Sequence, residues 1–247
     1  MIAQSRAIPI ILTRPAEQGA RFAQELLARF DGAINVIQSP LLSPQYLQPE
    51  IGPGPWTALI FTSTTAVTAS GLLGPIRARL PRKAYCVGDR TAEAARSLGF
   101  EAISAKGNTA SLCATIRDAD EPGPLLHLRG EETAGDISNG LSLAGIETHE
   151  AVLYREIAQT LTAEARITLR GELPIILPVF SPRSGIILAQ VLAAFPHSAA
   201  LLTVAISPAV AVTLDPITVM RRFVADLPDA ESMLIAVGQA LTAAQAA

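Results

Sequence analysis

The sequence predicts an α/β fold of two similar parallel-sheet lobes that are joined by a two-stranded β-ladder. Three observations lead to this prediction. Short apolar runs alternate with longer amphipathic runs, two groups of residues recur at one fixed spacing, and two segments rich in β-branched residues interrupt the alternation. Strands that alternate with helices are typical of parallel sheets covered by helices on both faces.

The alternation begins near the N-terminus, where an apolar run at 8–12 predicts a strand and an amphipathic run at 16–30 predicts a helix. Pro15 favours a helix start at this place because its fixed φ suits a first turn. Further predicted strands lead into predicted helices in the same way: 57–61 into a helix from Thr65, 84–87 into 91–99, 125–128 into 132–145, 174–180 into 184–195, and 201–206 into a helix from Pro208.

A fixed spacing indicates that the two lobes are related. FTSTTAV begins at Phe61 and FSPRSGI begins at Phe180, and VGDRTA begins at Val87 and ISPAVA begins at Ile206; both pairs are 119 residues apart. In each half an apolar strand delivers a turn of Ser, Thr or Pro that opens a helix. The spacing therefore favours two similar lobes over one continuous sheet.

Two segments break the alternation and predict the connection between the lobes. Residues 34–40 and 146–157 are rich in β-branched residues at a period of two, and neither leads directly into a helix. We expect them to cross between the lobes and to pair with each other. The predicted first lobe then comprises 1–35 and 158–247, the ladder 36–41 and 150–157, and the second lobe 42–149, with a Pro- and Gly-rich loop over 40–55.

Composition excludes several classes of function. The 247-residue chain carries only 19 Lys and Arg residues, spread thinly, so we expect no nucleic-acid partner. No apolar run approaches the roughly 18 residues of a membrane span, and the N-terminus has no secretory signal, so we expect a cytoplasmic protein without a membrane partner. We expect a monomer, because no stripe of apolar residues suggests an interface.

Metal and cofactor chemistry are not predicted either. The three histidines are scattered at 127, 149 and 197, and the two cysteines have no CxxC spacing, so we expect reduced thiols and no metal site. Glycine-rich nucleotide-binding motifs, nucleophile elbows and zinc motifs are absent. An enzyme with this sequence is expected to act without a cofactor, by holding and shaping a reactive substrate.

Polar residues follow the predicted strands at the points where helices begin. Four successive hydroxyls stand at 62–65, directly after a buried strand, and no charge accompanies them. Ligands of open α/β sheets bind at the carboxyl ends of the strands, where unpaired N–H groups of helix N-termini face the ligand. The pattern predicts a site for a large ligand with several carboxylates, bound mostly by neutral donors.

Helix capping is the alternative explanation for these hydroxyls. Ser and Thr are preferred N-caps of ordinary helices, so for any single junction capping alone is sufficient. The junction at 62–65 differs because a cap needs only one hydroxyl. We also expect that backbone geometry requires Gly88, whether or not a ligand binds beside it.

Seven segments, in this order, resemble the uroporphyrinogen-III synthase family: TRP at 13–15, LIFTSTTAV at 59–67, VGDRTAEAARSLGF at 87–100, LHLRGEETAG at 126–135, LYR at 153–155, FSPRSG at 180–185 and ADLPDAESML at 225–234. The resemblance covers nearly the whole chain. It implies two lobes joined by a ladder, with the active site in the inter-lobe cleft. It also implies the cofactor-free cyclisation of hydroxymethylbilane, a linear tetrapyrrole with eight carboxylates, with loss of water and inversion of ring D.

The resemblance assigns Tyr154, in LYR, as the catalytic candidate, because a phenol held by neighbouring dipoles could supply the weak acid that water loss needs. An alternative is that Tyr154 only packs in its strand. We expect His127 to be packed or hydrogen-bonded and not to act as an acid. The candidate substrate-binding residues are Thr13, Arg14, Thr62, Ser63, Thr64, Gly88, Thr91, Arg129, Gly130, Ser181 and Ser207.

Two other functions stay open at this point. A non-catalytic two-lobe paralogue could bind an anionic tetrapyrrole or another polycarboxylate. The segment AISPAVA at 205–211 favours this alternative, since it offers only Ser207 where many relatives carry a Gly and threonine pair. A regulator with receiver-like lobes is poorly supported, because LTRP at 12–15 lacks paired acidic residues.

Overall fold

The structure is a computed structural model that describes residues 7–132 and 135–247, and within these ranges the strands form two sheets. One compact unit is Pro44–Ile157, and the other comprises the described residues up to Ser43 together with Ala158–Ala247. The predicted class, two lobes each with a parallel-dominated sheet, is confirmed. Two predictions reach beyond the described residues: the helix over 132–145 includes 133–134, and the first lobe includes 1–6.

The elements of the N-terminal part and of the Pro44–Ile157 unit follow in chain order. They are β1 (Ile8–Leu12), α1 (Ala16–Phe30), β2 (Ile34–Gln38), β3 (Leu42–Tyr46), β4 (Ala58–Phe61), α2 (Thr64–Gly71), a 3-10 helix (Gly74–Arg79), β5 (Lys83–Cys86), α3 (Asp89–Ser97), β6 (Glu101–Ser104), α4 (Thr109–Asp118), β7 (Leu125–Gly130), α5 (Ile137–Leu143) and β8 (Thr148–Ala158).

The remaining elements return the chain to the first unit. They are α6 (Ala163–Leu169), β9 (Ile175–Val179), α7 (Pro182–Ala193), β10 (Leu201–Ala205), α8 (Pro208–Thr213), β11 (Arg221–Val224) and α9 (Ala230–Gln245). β1, β9 and β10 are buried along their whole length because helices cover both faces of this sheet. One face packs against α1 and α9, and the other packs against α6, α7 and α8.

The two sheets share one strand order, which gives the 119-residue spacing a structural counterpart. In the first unit the order is β2-β1-β9-β10-β11, and in the Pro44–Ile157 unit it is β8-β7-β4-β5-β6, with β3 beside β8. β4 and β9 take the same place in their sheets, as do β5 and β10, and these are the strands that precede the spaced motifs. The two units are therefore built on the same topology from different starting points in the chain.

The predicted pairing of 36–41 with 150–157 is wrong. Ile34–Gln38 pairs in parallel with β1, as the edge strand of the first sheet. The neighbour of β8 is β3, which lies inside the segment predicted to be a loop. The alternating pattern of β2 arises because an edge strand is only partly covered, as its mixed burial shows. β3 was not predicted as a strand because it contains Pro44, which usually argues against a strand; an edge strand such as β3 tolerates proline.

Candidate functional site

A pocket of about 350 Å³ opens at the carboxyl-end edge of the sheet in the Pro44–Ile157 unit. Because β4 to β7 are parallel, the turns that follow them meet at this edge. Residues at the starts of α2 and α4 line the pocket, so the N-terminal ends of these two helices, with their partial positive charge, border it. Its lining consists of Thr62, Ser63, Val87, Asn108, Thr109, Glu132, Ile137 and Tyr154.

Ser63 has two partners, which distinguishes it from an ordinary cap. Its Oγ accepts a hydrogen bond from the backbone N–H of Ala66 at 3.1 Å, so it is the N-cap of α2. The same Oγ lies 2.9 Å from the phenol oxygen of Tyr154. Capping and a contact with the tyrosine therefore coexist at this residue, and the two explanations offered by the sequence are not exclusive.

Tyr154 is held by the backbone of the neighbouring strand. Gly130, the last residue of β7, pairs with Tyr154, and the register shifts between Arg129 and Gly130. A Cβ added to Gly130 would lie 2.6 Å from Cζ of Tyr154, so the ring lies directly on the glycine. The site needs a glycine here because any larger residue would displace the ring.

The phenol of Tyr154 is kept protonated by its surroundings. Burial raises its pKa, and this effect outweighs the hydrogen bond to Ser63, which lowers the pKa. A neutral phenol at neutral pH can donate a proton to a group in the pocket. The Ser63 hydroxyl lies beside this phenol at the N-terminus of α2, where the helix carries a partial positive charge.

Arg129 is committed to partners within the protein. Its Nε donates to Oε2 of Glu150 at 2.7 Å, and its Nη1 donates to the carbonyls of Gly130 at 2.9 Å and Glu131 at 3.0 Å. Oε1 of Glu150 accepts from Ser138 at 2.7 Å. The sequence predicted a contact between Arg129 and a substrate carboxylate, but the guanidinium already has a carboxylate partner.

His127 is buried in the sheet beneath this network, with 1% of its surface exposed. Burial lowers its pKa to about 4. Among the described residues neither ring nitrogen has a hydrogen-bond partner, and the 3.6 Å from Nδ1 to Oε1 of Glu150 is too long for one. The expectation of a packed histidine fits this environment, while a hydrogen-bonded one does not.

Gly88 and Thr91 lie at the next junction, between β5 and α3. Thr91 is 6% exposed, and the pocket lining includes Val87 but neither of these two residues. The expectation that backbone geometry requires Gly88 is wrong, because its φ of −150° is extended and a Cβ there would meet nothing within 4 Å. The space beside the Gly88 Cα is open, so a ligand could approach the backbone at this position.

In the other unit, Thr13 and Arg14 follow β1. Thr13 is 2% exposed, and its carbonyl accepts a hydrogen bond from Leu41, so it contributes mainly to packing. The guanidinium of Arg14 lies 3.9 Å from the centre of the Phe180 ring and donates to Gln18. Cation–π stacking of this kind positions Arg14 at the strand ends of its own sheet.

Ser181 and Ser207 are N-caps in the same unit. Ser181 Oγ accepts from the N–H of Ser184 at 3.1 Å and donates to the Ser184 hydroxyl at 2.9 Å. Ser207 Oγ accepts from the N–H of Val210 at 3.4 Å. These contacts satisfy capping and leave the Ser181 hydroxyl proton already engaged.

The junction between β6 and α4 was not predicted from the sequence. Asn108 caps α4 by accepting from the N–H of Ser111 at 3.1 Å, and both Asn108 and Thr109 line the pocket. Glu132 and Ile137 of the lining were also missed. The motif GNT at 107–109 carries a recognisable capping signal, but the short, half-exposed β6 before it hid the strand end.

Two kinds of feature are absent from the described ranges. Residues 7–132 and 135–247 contain no group of three His, Cys, Asp or Glu side chains that could hold a metal ion. Over the same ranges no helix is long and apolar enough to cross a bilayer.

The fold and the pocket define a two-lobe α/β protein whose candidate site combines neutral donors with a protonated tyrosine. A sequence model described as uroporphyrinogen-III synthase HemD matches residues 21–235. The chain therefore belongs to the uroporphyrinogen-III synthase family, whose members are cyclising lyases of haem biosynthesis.

A solved structure supports the fold. The crystal structure of uroporphyrinogen-III synthetase from Helicobacter pylori 26695 is similar with a TM-score of 0.60 and 20% identity, over 95% of this chain and 99% of that chain. A mutant uroporphyrinogen III synthase from the extremely thermophilic bacterium Thermus thermophilus matches with a lower TM-score of 0.47 and 13% identity, over 96% and 100%. A search of curated protein sequences found no match.

Proposed function

We propose that this chain converts hydroxymethylbilane into uroporphyrinogen III and that Tyr154 supplies the proton for the first step. The observation that carries the role of Tyr154 is the 2.9 Å contact between its phenol and Ser63 at the wall of a polar pocket. Membership of the uroporphyrinogen-III synthase family supplies the reaction.

The first step is the loss of water from the substrate. The phenol of Tyr154 donates its proton to the terminal hydroxyl, the carbon–oxygen bond breaks, water leaves and the azafulvene forms as a cation. The resulting phenolate accepts a hydrogen bond from Ser63. Ring D then attacks through its substituted carbon, and the spiro intermediate fragments and recloses with that ring inverted. The carbon that closes the macrocycle loses a proton, which restores the phenol.

Restraint of the substrate determines which isomer forms. Hydroxymethylbilane cyclises unaided to the unrearranged isomer, so the protein must hold the chain in the geometry that favours attack through the substituted carbon. Preorganisation can contribute roughly 7–11 kcal/mol in favourable cases. We assign the carboxylates to the two helix starts beside the pocket, whose lining includes Thr62 and Ser63 at one and Asn108 and Thr109 at the other.

The isomer assay tests the reaction. Enzymatically generated hydroxymethylbilane is supplied, the products are oxidised, and the uroporphyrin isomers are separated. We expect isomer III in excess over a protein-free control. If isomer I alone forms at the control rate, the chain is not a synthase, and tight binding of the substrate would then support the non-catalytic paralogue.

The Tyr154→Phe variant tests the proton donor. We expect a fall of about 100-fold in the rate of isomer III formation, the size of a general-acid contribution, with an unchanged melting temperature. Tyr46→Phe is the matched control, because Tyr46 is 39% exposed and lies outside the pocket lining. Equal rates in Tyr154→Phe and the parent protein would remove Tyr154 from the mechanism.

A further inference from the structure

Glu150 joins two elements that flank the candidate site. One carboxylate oxygen accepts from Arg129 of β7 at 2.7 Å, and the other accepts from Ser138 of α5 at 2.7 Å. Glu150 itself lies on β8, four residues before Tyr154. The carboxylate therefore links the strand that carries the tyrosine, the neighbouring strand and the helix whose first residue lines the pocket.

Arg129 connects the Glu150 carboxylate to the backbone at the end of β7. Its Nη1 donates to the carbonyls of Gly130 and Glu131, the two residues that follow it. The N–H of Glu131 in turn donates to the carbonyl of Tyr154 at 2.8 Å. The guanidinium holds these carbonyls where the register shifts, so that Gly130 pairs with Tyr154 and Leu153 is skipped.

The phenol position depends on this backbone. The ring of Tyr154 lies so close to Gly130 that a single added carbon would be 2.6 Å from Cζ. A shift of the Gly130 backbone therefore moves the ring, and a movement of several tenths of an ångström is enough to break the 2.9 Å contact with Ser63.

We propose that Glu150 and Arg129 are positioning residues for Tyr154: together they fix the shifted register at Gly130 and so aim the phenol at Ser63. The inference rests on the role proposed for Tyr154. It gives Arg129 a function different from binding a substrate carboxylate. Burial alone would raise the pKa of Glu150, but hydrogen bonds from Ser138 and Arg129 outweigh it and leave the pKa below its ordinary value. The pair is therefore ionised at neutral pH.

The decisive measurement is spectroscopic and independent of catalysis. The protein is labelled with 3-fluorotyrosine, and the three resonances of Tyr46, Tyr85 and Tyr154 are assigned with Tyr→Phe variants. In Glu150→Ala we expect the Tyr154 resonance to shift or broaden more than those of Tyr46 and Tyr85. A folded Glu150→Ala protein with all three resonances unchanged overturns the proposal.

Kinetics supply the second readout. Misplacement of a catalytic group costs kcat more than KM, so we expect about a tenfold fall in kcat for Glu150→Ala and a KM within about twofold. If Arg129 instead bound substrate, KM would rise and the Tyr154 resonance would not move. Glu147→Gln is the matched control, since Glu147 is an exposed carboxylate near the start of β8 whose partner is His149.

A milder variant keeps the test valid if Glu150→Ala does not fold. Glu150→Gln retains the shape and one acceptor oxygen but loses the charge, and we expect a smaller change of the Tyr154 resonance in the same direction. If the Tyr154 resonance is unchanged in both Glu150→Gln and Arg129→Ala, the proposal is overturned. A parent protein without synthase activity would contradict the proposed function but leave the resonance test intact.

Discussion

The junctions after β4 and after β9 are corresponding places in two sheets of one topology, yet their hydroxyls do different things. Ser63 caps α2 and also contacts Tyr154 at 2.9 Å. Ser181 caps α7 and donates a hydrogen bond to the hydroxyl of Ser184, a residue of the same helix. The strand at the place of β8 in the first sheet is β2, INVIQ, which offers no tyrosine.

This difference shows that a hydroxyl at a strand end forms part of a candidate site when another strand places a reactive side chain beside it, as β8 places Tyr154 beside Ser63. Both junctions satisfy the capping rule, so capping does not distinguish them. The tyrosine, the glycine beneath it and the charged network behind it occur in the Pro44–Ile157 unit. We expect chemistry at that junction and mainly helix stability at the other.

The largest expected effect comes from Gly130→Ala. The added Cβ would lie 2.6 Å from the Tyr154 ring, so the ring must move. We expect about a 100-fold loss of synthase rate and a destabilisation of about 1–3 kcal/mol, measured by product formation and denaturant unfolding.

Gly88→Ala is the matched control for Gly130→Ala. A Cβ at Gly88 would meet nothing within 4 Å and its φ is extended, so we expect no clash and a destabilisation of about 0.5–1 kcal/mol, because Ala is a poorer N-cap than Gly. A rate loss in Gly88→Ala as large as that in Gly130→Ala would show that ligand approaches the β5–α3 turn. Equal, normal rates in both variants would contradict the site described here.

The next effect is a pH dependence of stability that arises from the burial of His127. The pKa of His127 is about 4 in the folded protein and near 6.5 when unfolded, so the unfolded chain binds a proton first as the pH falls. Stability is complete above pH 6.5 and declines toward pH 4, with a loss of about 2 kcal/mol expected by pH 5.

His127→Leu tests this pH dependence. We expect its unfolding free energy to be nearly flat between pH 6.5 and 5, as measured by urea denaturation. Glu150 and Arg129 face His127, and the lowered pKa of Glu150 adds a further loss only at more acidic pH. The same slope in the variant and the parent protein would assign the pH dependence to another group.

The smallest expected effect is the difference in synthase rate between variants of the two N-caps, Ser63 and Ser181. Ser63→Ala and Ser181→Ala each lose one N-cap, so we expect both to be destabilised by about 1 kcal/mol. We expect about a tenfold rate loss for Ser63→Ala, because its hydroxyl also stabilises the phenolate, and a rate within about twofold for Ser181→Ala. If both lose rate equally, Ser181 binds substrate as its sequence motif suggested.

Much of the fold followed from local patterns. Helix starts were predicted at Thr65, Ser184 and Pro208 and lie at Thr64, Pro182 and Pro208, within two residues, because burial and capping are encoded among near neighbours. β3 and β6 were missed because edge strands are short and half exposed, and their partners are set by the sheet. The pairing of β2 was wrong for the same reason: a period of two indicates a strand but not its neighbour.

The candidate site divided in a similar way. Thr62 and Ser63 were predicted from hydroxyls at a strand end and Tyr154 from the resemblance of LYR to the family, and all three line one pocket. Arg129 was predicted to bind a substrate carboxylate, but it is paired with Glu150 on the neighbouring strand. The two residues are 21 positions apart in the chain, so the sequence did not show this pairing.

The amino-acid sequence alone determined two α/β lobes, the places where helices begin, and a set of hydroxyls at strand ends, since these depend on periodicity and capping among near neighbours. Only the tertiary structure decided which hydroxyl meets the phenol, which arginine is already paired, and which glycine the ring requires. Those outcomes depend on the register between strands, and a shift of one residue, as at Gly130, turns a side chain toward a different partner.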